Sequence, residues 1–313
     1  MRRFAGKIKT GNTVADAVEM FINDRISMGL APKSIKSYKA KLWVFSKYLD
    51  FDSQLTQLTS NQAREAVNLM SESGLSRNTI QSYVRDFRVF LRWCREQGWT
   101  DVDVKPFKGA ETTPVTYTEE ELKLLLKKPN MKFCLFSEYR TWVIVNLLVD
   151  NGIRASSVRN IQIRDVMLDV SMIKLRHTKN KKAQNIPLSP RMVAILKEYL
   201  KIRRGDPDEY LFPNAEGNQM TEHSLRHAIR KYNLSRGVQK TGIHAFRHTF
   251  ARMYLVDCDG NALKLQKLLG HSTLKMTQHY VQLFDQDLVA EYQNHSPLTK
   301  LQKPRITMPG HKK

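Results

Sequence analysis

Between residues 101 and 116 the chain reads DVDVKPFKGAETTPVT, with two prolines, a glycine, two adjacent threonines and no helical period. On either side, apolar residues return at the three- and four-residue spacing of helices that face a core. Such a break rules out one continuous bundle and predicts a helical domain over 13–100, a linker over 101–116 and a second domain over 117–290. The length of 313 residues agrees, because it exceeds the roughly 100–200 residues of one typical domain.

Four helices are expected before the break. Thr13 with Asp16 forms a capping pattern, followed by an apolar stripe of Val14, Ala17, Val18, Phe21 and Ile22. Pro32 opens a second helix carrying Ile35, Tyr38, Leu42, Phe45 and Leu49. Thr59 and Gln62 cap a third that stops at Gly74, and a fourth runs from near Ser76 to Gly98. That fourth helix places Ile80, Tyr83, Phe87 and Phe90 on one stripe and Arg85, Arg88, Arg92 and Arg95 on another. A basic stripe with almost no interleaved acid is expected to contact phosphates.

The second domain opens with another capping pattern, Thr118 and Glu121, ahead of Leu122, Leu125 and Leu126. An apolar helix near 137–150 should end at Asn151-Gly152. The stretch MIKLRHTKNKKAQNIPLSP then changes period: Ile173 and Leu175 alternate, residues 178–182 turn, and Ile186 and Leu188 alternate again. This predicts a β-hairpin with a lysine-rich tip. Helices should resume at Ser189-Pro190 and near 221–233, 244–256 and 261–285, leaving a basic tail over 291–313. The expected fold is mainly α, with a small β-sheet in the second domain.

Charge narrows the partner. Lysine and arginine total 51 against 30 acidic residues, a net +21. The first hundred residues hold 16 basic against 9 acidic and the rest 35 against 21, so both domains are positive. Duplex DNA, with about one charge per 1.7 Å of axis, suits a partner touching both. There is no apolar run of about 18 residues and no signal-peptide pattern, so no membrane partner is expected, and a soluble cytoplasmic protein is. Cys94, Cys134 and Cys258 are odd in number and far apart, which argues against a disulfide frame or a zinc-thiolate site. No GxxxxGK[ST] loop is present, so no nucleotide cofactor is expected.

The candidates for chemistry lie mostly in the second domain: Arg154 in GIR, Lys179 with Lys181 and Lys182 at the hairpin tip, His244 and Arg247 in HAFRH, His271 in LLGHS, and Tyr280. A phosphodiester attacked by an oxygen nucleophile gains negative charge on its non-bridging oxygens, and planar guanidinium forks are natural clamps for it. Arg154 and Arg247 are the candidates. A tyrosine hydroxyl, with a reference pKa of about 10, needs help to lose its proton, and His244 or His271 is placed to assist. The departing sugar oxygen must gain a proton, for which Lys179 is preferred over Lys181 and Lys182. His244 and His248 also stand at i, i+4, but the glutamate of HExxH and any thiolate ligand are missing, so no metal site is expected.

GIR, TK in a hairpin ending in IPL, YLFPN, HAFRHTFA and LLGHSTLKMTQHY occur in this order, and the chain resembles the tyrosine recombinase (phage integrase) family over both domains. The resemblance implies a SAM-like core-binding domain over 13–100 and a catalytic domain over 117–290. It implies that Arg154 and Arg247 grip the scissile phosphate, that His244 and His271 hydrogen-bond it or move protons, that Lys179 protonates the leaving 5′-oxygen, and that Tyr280 forms a 3′-phosphotyrosine. Arg85, Arg88, Arg92, Arg95, Lys181 and Lys182 become expected DNA contacts. A homotetramer on two duplexes follows, with integration or excision of a mobile element or phage as the expected role and resolution of chromosome or plasmid dimers as the alternative. A non-catalytic DNA-binding accessory protein and a relaxing topoisomerase are the rival classes. Because the stretch before Thr13 is short, a two-domain recombinase without the arm-binding domain of some integrases is expected. One departure stands out: where many relatives carry an acid three residues after the first arginine, this chain has Ser157.

Overall fold

The computed structural model describes residues 12–110, 113–176, 183–258, 260–271, 273–274, 277–278 and 280. Two compact units make up the chain, residues 1–112 and 113–313. The hairpin tip with Lys179, Lys181 and Lys182, His279 and the basic tail lie outside the described residues.

The first unit is a four-helix bundle of α1 (Val14–Ser27), α2 (Pro32–Trp43), α3 (Ser60–Glu72) and α4 (Arg77–Glu96). Both expected capping boxes form: Thr13 exchanges bonds with Asp16, and Thr59 with Gln62, satisfying amides that a helix start leaves unpaired. Phe21 sits in the core with Tyr38, Phe90 and Trp93 edge-on to it at 5.6, 5.7 and 5.6 Å. α2 stops sooner than the apolar stripe suggests, passing into a 3-10 turn over Val44–Lys47 that carries Phe45 into the core.

The segment expected to be a free linker is, over 102–107, part of this bundle. Val102 and Val104 are buried in its core, with Phe107 packed against it. Alternating valines let a strand-like stretch present one apolar side to the helices without needing a helical period.

The second unit is built around α6 (Phe136–Asn151), which is buried on nearly every side from Tyr139 to Leu148. A helix apolar all round belongs in the middle of a fold. Around it pack α5 (Glu119–Leu126), α8 (Pro190–Arg203), α9 (Glu222–Ser235) and α10 (Ile243–Arg252). The short α7 (Ala155–Asn160) follows α6 and leads to an antiparallel sheet of β1 (Val166–Met167), β2 (Met172–Leu175) and β3 (Gln184–Pro187), in that order. Ile173 faces Ile186 across the hairpin and both are buried, as the alternation predicts. β1 adds a third strand whose two residues carry no readable period.

The expected single helix near 261–285 is instead broken. α11 (Ala262–Leu269) ends at Gly270, which takes the left-handed conformation at φ +61° and turns the chain before Tyr280. α10 likewise passes into a π turn over Met253–Asp257 rather than running on as α-helix. Among the described residues no helix is long and apolar enough to cross a membrane.

Candidate active site

Three helix ends meet where the sequence motifs converge. α6 ends at Gly152, left-handed at φ +57°; a Cβ there would lie 2.5 Å from the Phe250 ring of α10 and 3.1 Å from Leu269 of α11. The missing side chain therefore lets α10 and α11 close against the end of α6. Two residues later Arg154 caps α7 and reaches α11, its guanidinium donating to the carbonyl oxygens of Leu269 and Gly270 at 3.3 Å.

Arg247, on α10 and only 6% exposed, reaches the same turn. Its Nη1 donates to the Gly152 carbonyl at 2.8 Å and its Nη2 to the Leu269 carbonyl at 2.9 Å. Both arginines thus share the Leu269 oxygen. Among the described residues no carboxylate pairs with either. Burial and the neighbouring Arg154 charge pull the Arg247 pKa down to about 10, and burial also lowers that of Arg154. Confining two like charges this way is costly without a counter-charge, so the pair is prepared for an anion.

Tyr280 completes the cluster and is itself 6% exposed. Burial raises its pKa, while the charge of Arg247, a hydrogen bond from it and the charge of Arg154 pull the other way. The ring of His271 lies parallel to that of Tyr280 at 6.1 Å, and His248 tilts against it at 5.6 Å. His271 Nδ1 shares a 2.9 Å hydrogen bond with Thr277 Oγ1. Burial, then the charges of Arg247 and Arg154, push its pKa down to about 4, so the imidazole is neutral at neutral pH. His244, in the first turn of α10 and on its exposed side, has a pKa lowered by desolvation and by Arg226, Arg247 and Arg154.

Arg154, His244, Arg247, His271 and Tyr280 are therefore gathered about the 269–271 turn. Ser157 is buried in α7, its amide bonded to the Arg154 carbonyl at 2.9 Å. The Arg154 guanidinium is held by backbone carbonyls in a chain that lacks the acid. Three residues of the cluster escaped the sequence reading as contributors: His248, Thr277 and Gln184. Thr277 was open to discovery, since it precedes Tyr280 by three positions and so shares its helical face.

The arginine stripe of α4 divides. Arg88 donates to the Val104 carbonyl at 2.7 Å, and Arg95 to the Val102 carbonyl at 3.0 Å and to Asp103 at 2.8 Å. Arg85 and Arg92 are exposed, the former beside the buried Asp86, which Lys41 also pairs.

Residues 116–287 match the phage integrase family, and residues 67–108 match the phage integrase N-terminal SAM-like domain. The chain belongs to the phage integrase family. This family is that of the tyrosine recombinases, and the catalytic-domain match spans every member of the cluster above. The tyrosine recombinase XerC of Thermodesulfovibrio yellowstonii is 26% identical over 295 residues, covering 90% of this chain and 96% of its own. The fold is shared with the Tn1549 transposon integrase in complex with circular intermediate DNA, at a TM-score of 0.70 and 20% identity, over 86% of this chain and 94% of that one. A lambda integrase dimer bound to a COC′ core site gives 0.70 at 16% identity, over 86% and 95%.

Proposed function

We propose that this integrase-family enzyme cuts and rejoins duplex DNA at a specific site through a 3′-phosphotyrosine on Tyr280, and that it integrates or excises a mobile element. One observation carries the chemistry: the buried guanidinium of Arg247 and the half-buried one of Arg154, without a carboxylate partner among the described residues, converge beside a buried tyrosine.

The Tyr280 oxygen attacks the scissile phosphorus, a bond forms to it, and the bond to the 5′-oxygen breaks. Arg154 and Arg247 hold the non-bridging oxygens, spending donors not engaged by the turn carbonyls. His271 presents its neutral ring to the phosphate or to the tyrosine proton, with His244 alongside. Lys179 supplies a proton to the departing 5′-oxygen. The phosphodiester energy is kept in the phosphotyrosine, so the 5′-hydroxyl of a partner strand can attack it, reseal the DNA and free Tyr280. The guanidiniums supply the charge compensation, and no nucleotide is consumed.

Arg85, Arg92, Lys181 and Lys182 are assigned to the DNA backbone, and Arg88 and Arg95 to fixing the 102–104 segment against the bundle. Strand exchange is assigned to four copies on two duplexes, in the cytoplasm. The neighbours' complexes with circular intermediate DNA and a core site support the duplex as substrate. Resolution of chromosome or plasmid dimers is the second reading, favoured by the end-to-end match to XerC.

A duplex nicked just beyond the cleavage point loses its 5′-hydroxyl fragment and traps the covalent step. Incubated with such duplexes carrying the target site, the protein should give an adduct resistant to denaturant, in chelator and without nucleotide. No adduct on any target would refute strand transfer. Sequencing the DNA trapped in cells separates the two settings: element ends support integration or excision, and a single chromosomal site supports dimer resolution.

A further inference from the structure

We infer that Gln184 is a positioning residue for the arginine pair, acting through the carbonyl oxygens at the end of α11. The inference rests on the reading above, in which Arg154 and Arg247 bind the scissile phosphate.

A helix leaves its last four carbonyls without partners inside the helix. At the end of α11 the Gln266 carbonyl accepts from the Gly270 and His271 amides and Lys267 also accepts from Gly270, while the carbonyls from Lys267 to Gly270 receive side chains from three distant parts of the chain. Gln184, on β3, donates its amide Nε2 to the carbonyls of Lys267 at 2.6 Å and Leu268 at 3.0 Å. Arg247 takes Leu269, while Arg154 takes Leu269 and Gly270. Gln184 thus occupies the two acceptors nearest those used by the arginines. Without it, the Leu268 carbonyl would compete for guanidinium donors that the phosphate requires, Lys267 would keep only the Gly270 amide, and the turn that leads to His271 would lose its anchor to the sheet.

Gly270 records the same packing. A Cβ there would lie 2.4 Å from Gln184 Oε1, so at this left-handed φ of +61° a side chain would displace the amide that holds the turn. Gln184 is half-buried, and no polar group of it need touch the DNA for the effect to operate.

The role makes a specific demand on the substrate. Arginines that act on the charged non-bridging oxygens matter less when one of those oxygens is replaced by a methyl group, because a methylphosphonate is neutral. Single-turnover cleavage should be measured on a phosphodiester and on a methylphosphonate at the scissile position, for the native protein, Gln184→Glu, Gln184→Ala and Arg247→Ala. Gln184→Glu keeps the shape and removes the donors. Both Gln184 variants are expected to bind DNA within about threefold of native and to cleave the phosphodiester roughly tenfold or more slowly, as one tenfold step corresponds to a lost interaction of ordinary size. On the methylphosphonate their deficit should shrink toward unity, in parallel with that of Arg247→Ala.

Native-like cleavage of the phosphodiester by Gln184→Glu would overturn the inference. So would a deficit of equal size on both substrates while that of Arg247→Ala shrinks, since Gln184 would then act elsewhere than through the arginines. If the deficit of Arg247→Ala itself does not shrink, the phosphate-clamp reading fails first, and the inference with it.

Discussion

His271 is a histidine whose charge state is set by its surroundings rather than by solution pH. Its pKa of about 4 lies below the value near 6.5 of a free imidazole, so the unfolded chain binds that proton more readily than the folded one. The neutral ring therefore costs no stability above pH 6.5, and stability is lost as pH falls from there toward 4. The acid limb of kcat/KM, which reports the free protein, should accordingly show no His271 titration near 6.5. A limb near 6.5 that disappears in His271→Gln would contradict this assignment. Gly152 offers a second test at the same scale. Gly152→Ala must pay for φ +57° and displace the Phe250 ring, whereas Gly217→Ala, at φ +83°, meets nothing within 4 Å. Denaturant melts should show a loss of about 1 kcal/mol for Gly217→Ala and about 2–4 kcal/mol for Gly152→Ala.

At the scale of elements, α4 divides its arginines between two tasks. Arg85→Ala and Arg92→Ala should weaken DNA binding and each reduce the salt slope by about one, with stability nearly unchanged for Arg92→Ala and modestly lowered for Arg85→Ala, whose Nε pairs the buried Asp86. Arg88→Ala and Arg95→Ala should lower the melting temperature first, because they release the carbonyls of Val104 and Val102. Equal salt-slope losses for all four would contradict the division. Thr118→Ala, which removes the cap of α5, should cost about 1 kcal/mol. Much of this level was legible in the sequence, since capping boxes at Thr13, Thr59 and Thr118 and the apolar periods are local signals. Three features were not legible. The break at Gly270 falls inside an otherwise helical pattern, β1 is too short to show a period, and Val102 and Val104 reach the core from a stretch rich in breakers. The site was legible as an ordered list of motifs. Its internal geometry was not, because Gln184, Arg154 and Arg247 meet carbonyls up to 116 positions away, and only folding brings such partners together.

For the whole molecule, a net charge of +21 that both halves share, an integrase-family catalytic domain and an arginine pair set at the end of α11 all point to one substrate. The central claim concerns the atom that becomes covalently attached to it. The decisive measurement is mass spectrometry of the peptide that remains on DNA after proteolysis of the trapped adduct, made alongside Tyr280→Phe. The account predicts nucleotide joined to Tyr280 in the native protein, and a Phe variant that binds the same DNA yet yields no adduct. Nucleotide on any other residue, or an undiminished adduct from Tyr280→Phe, would contradict it.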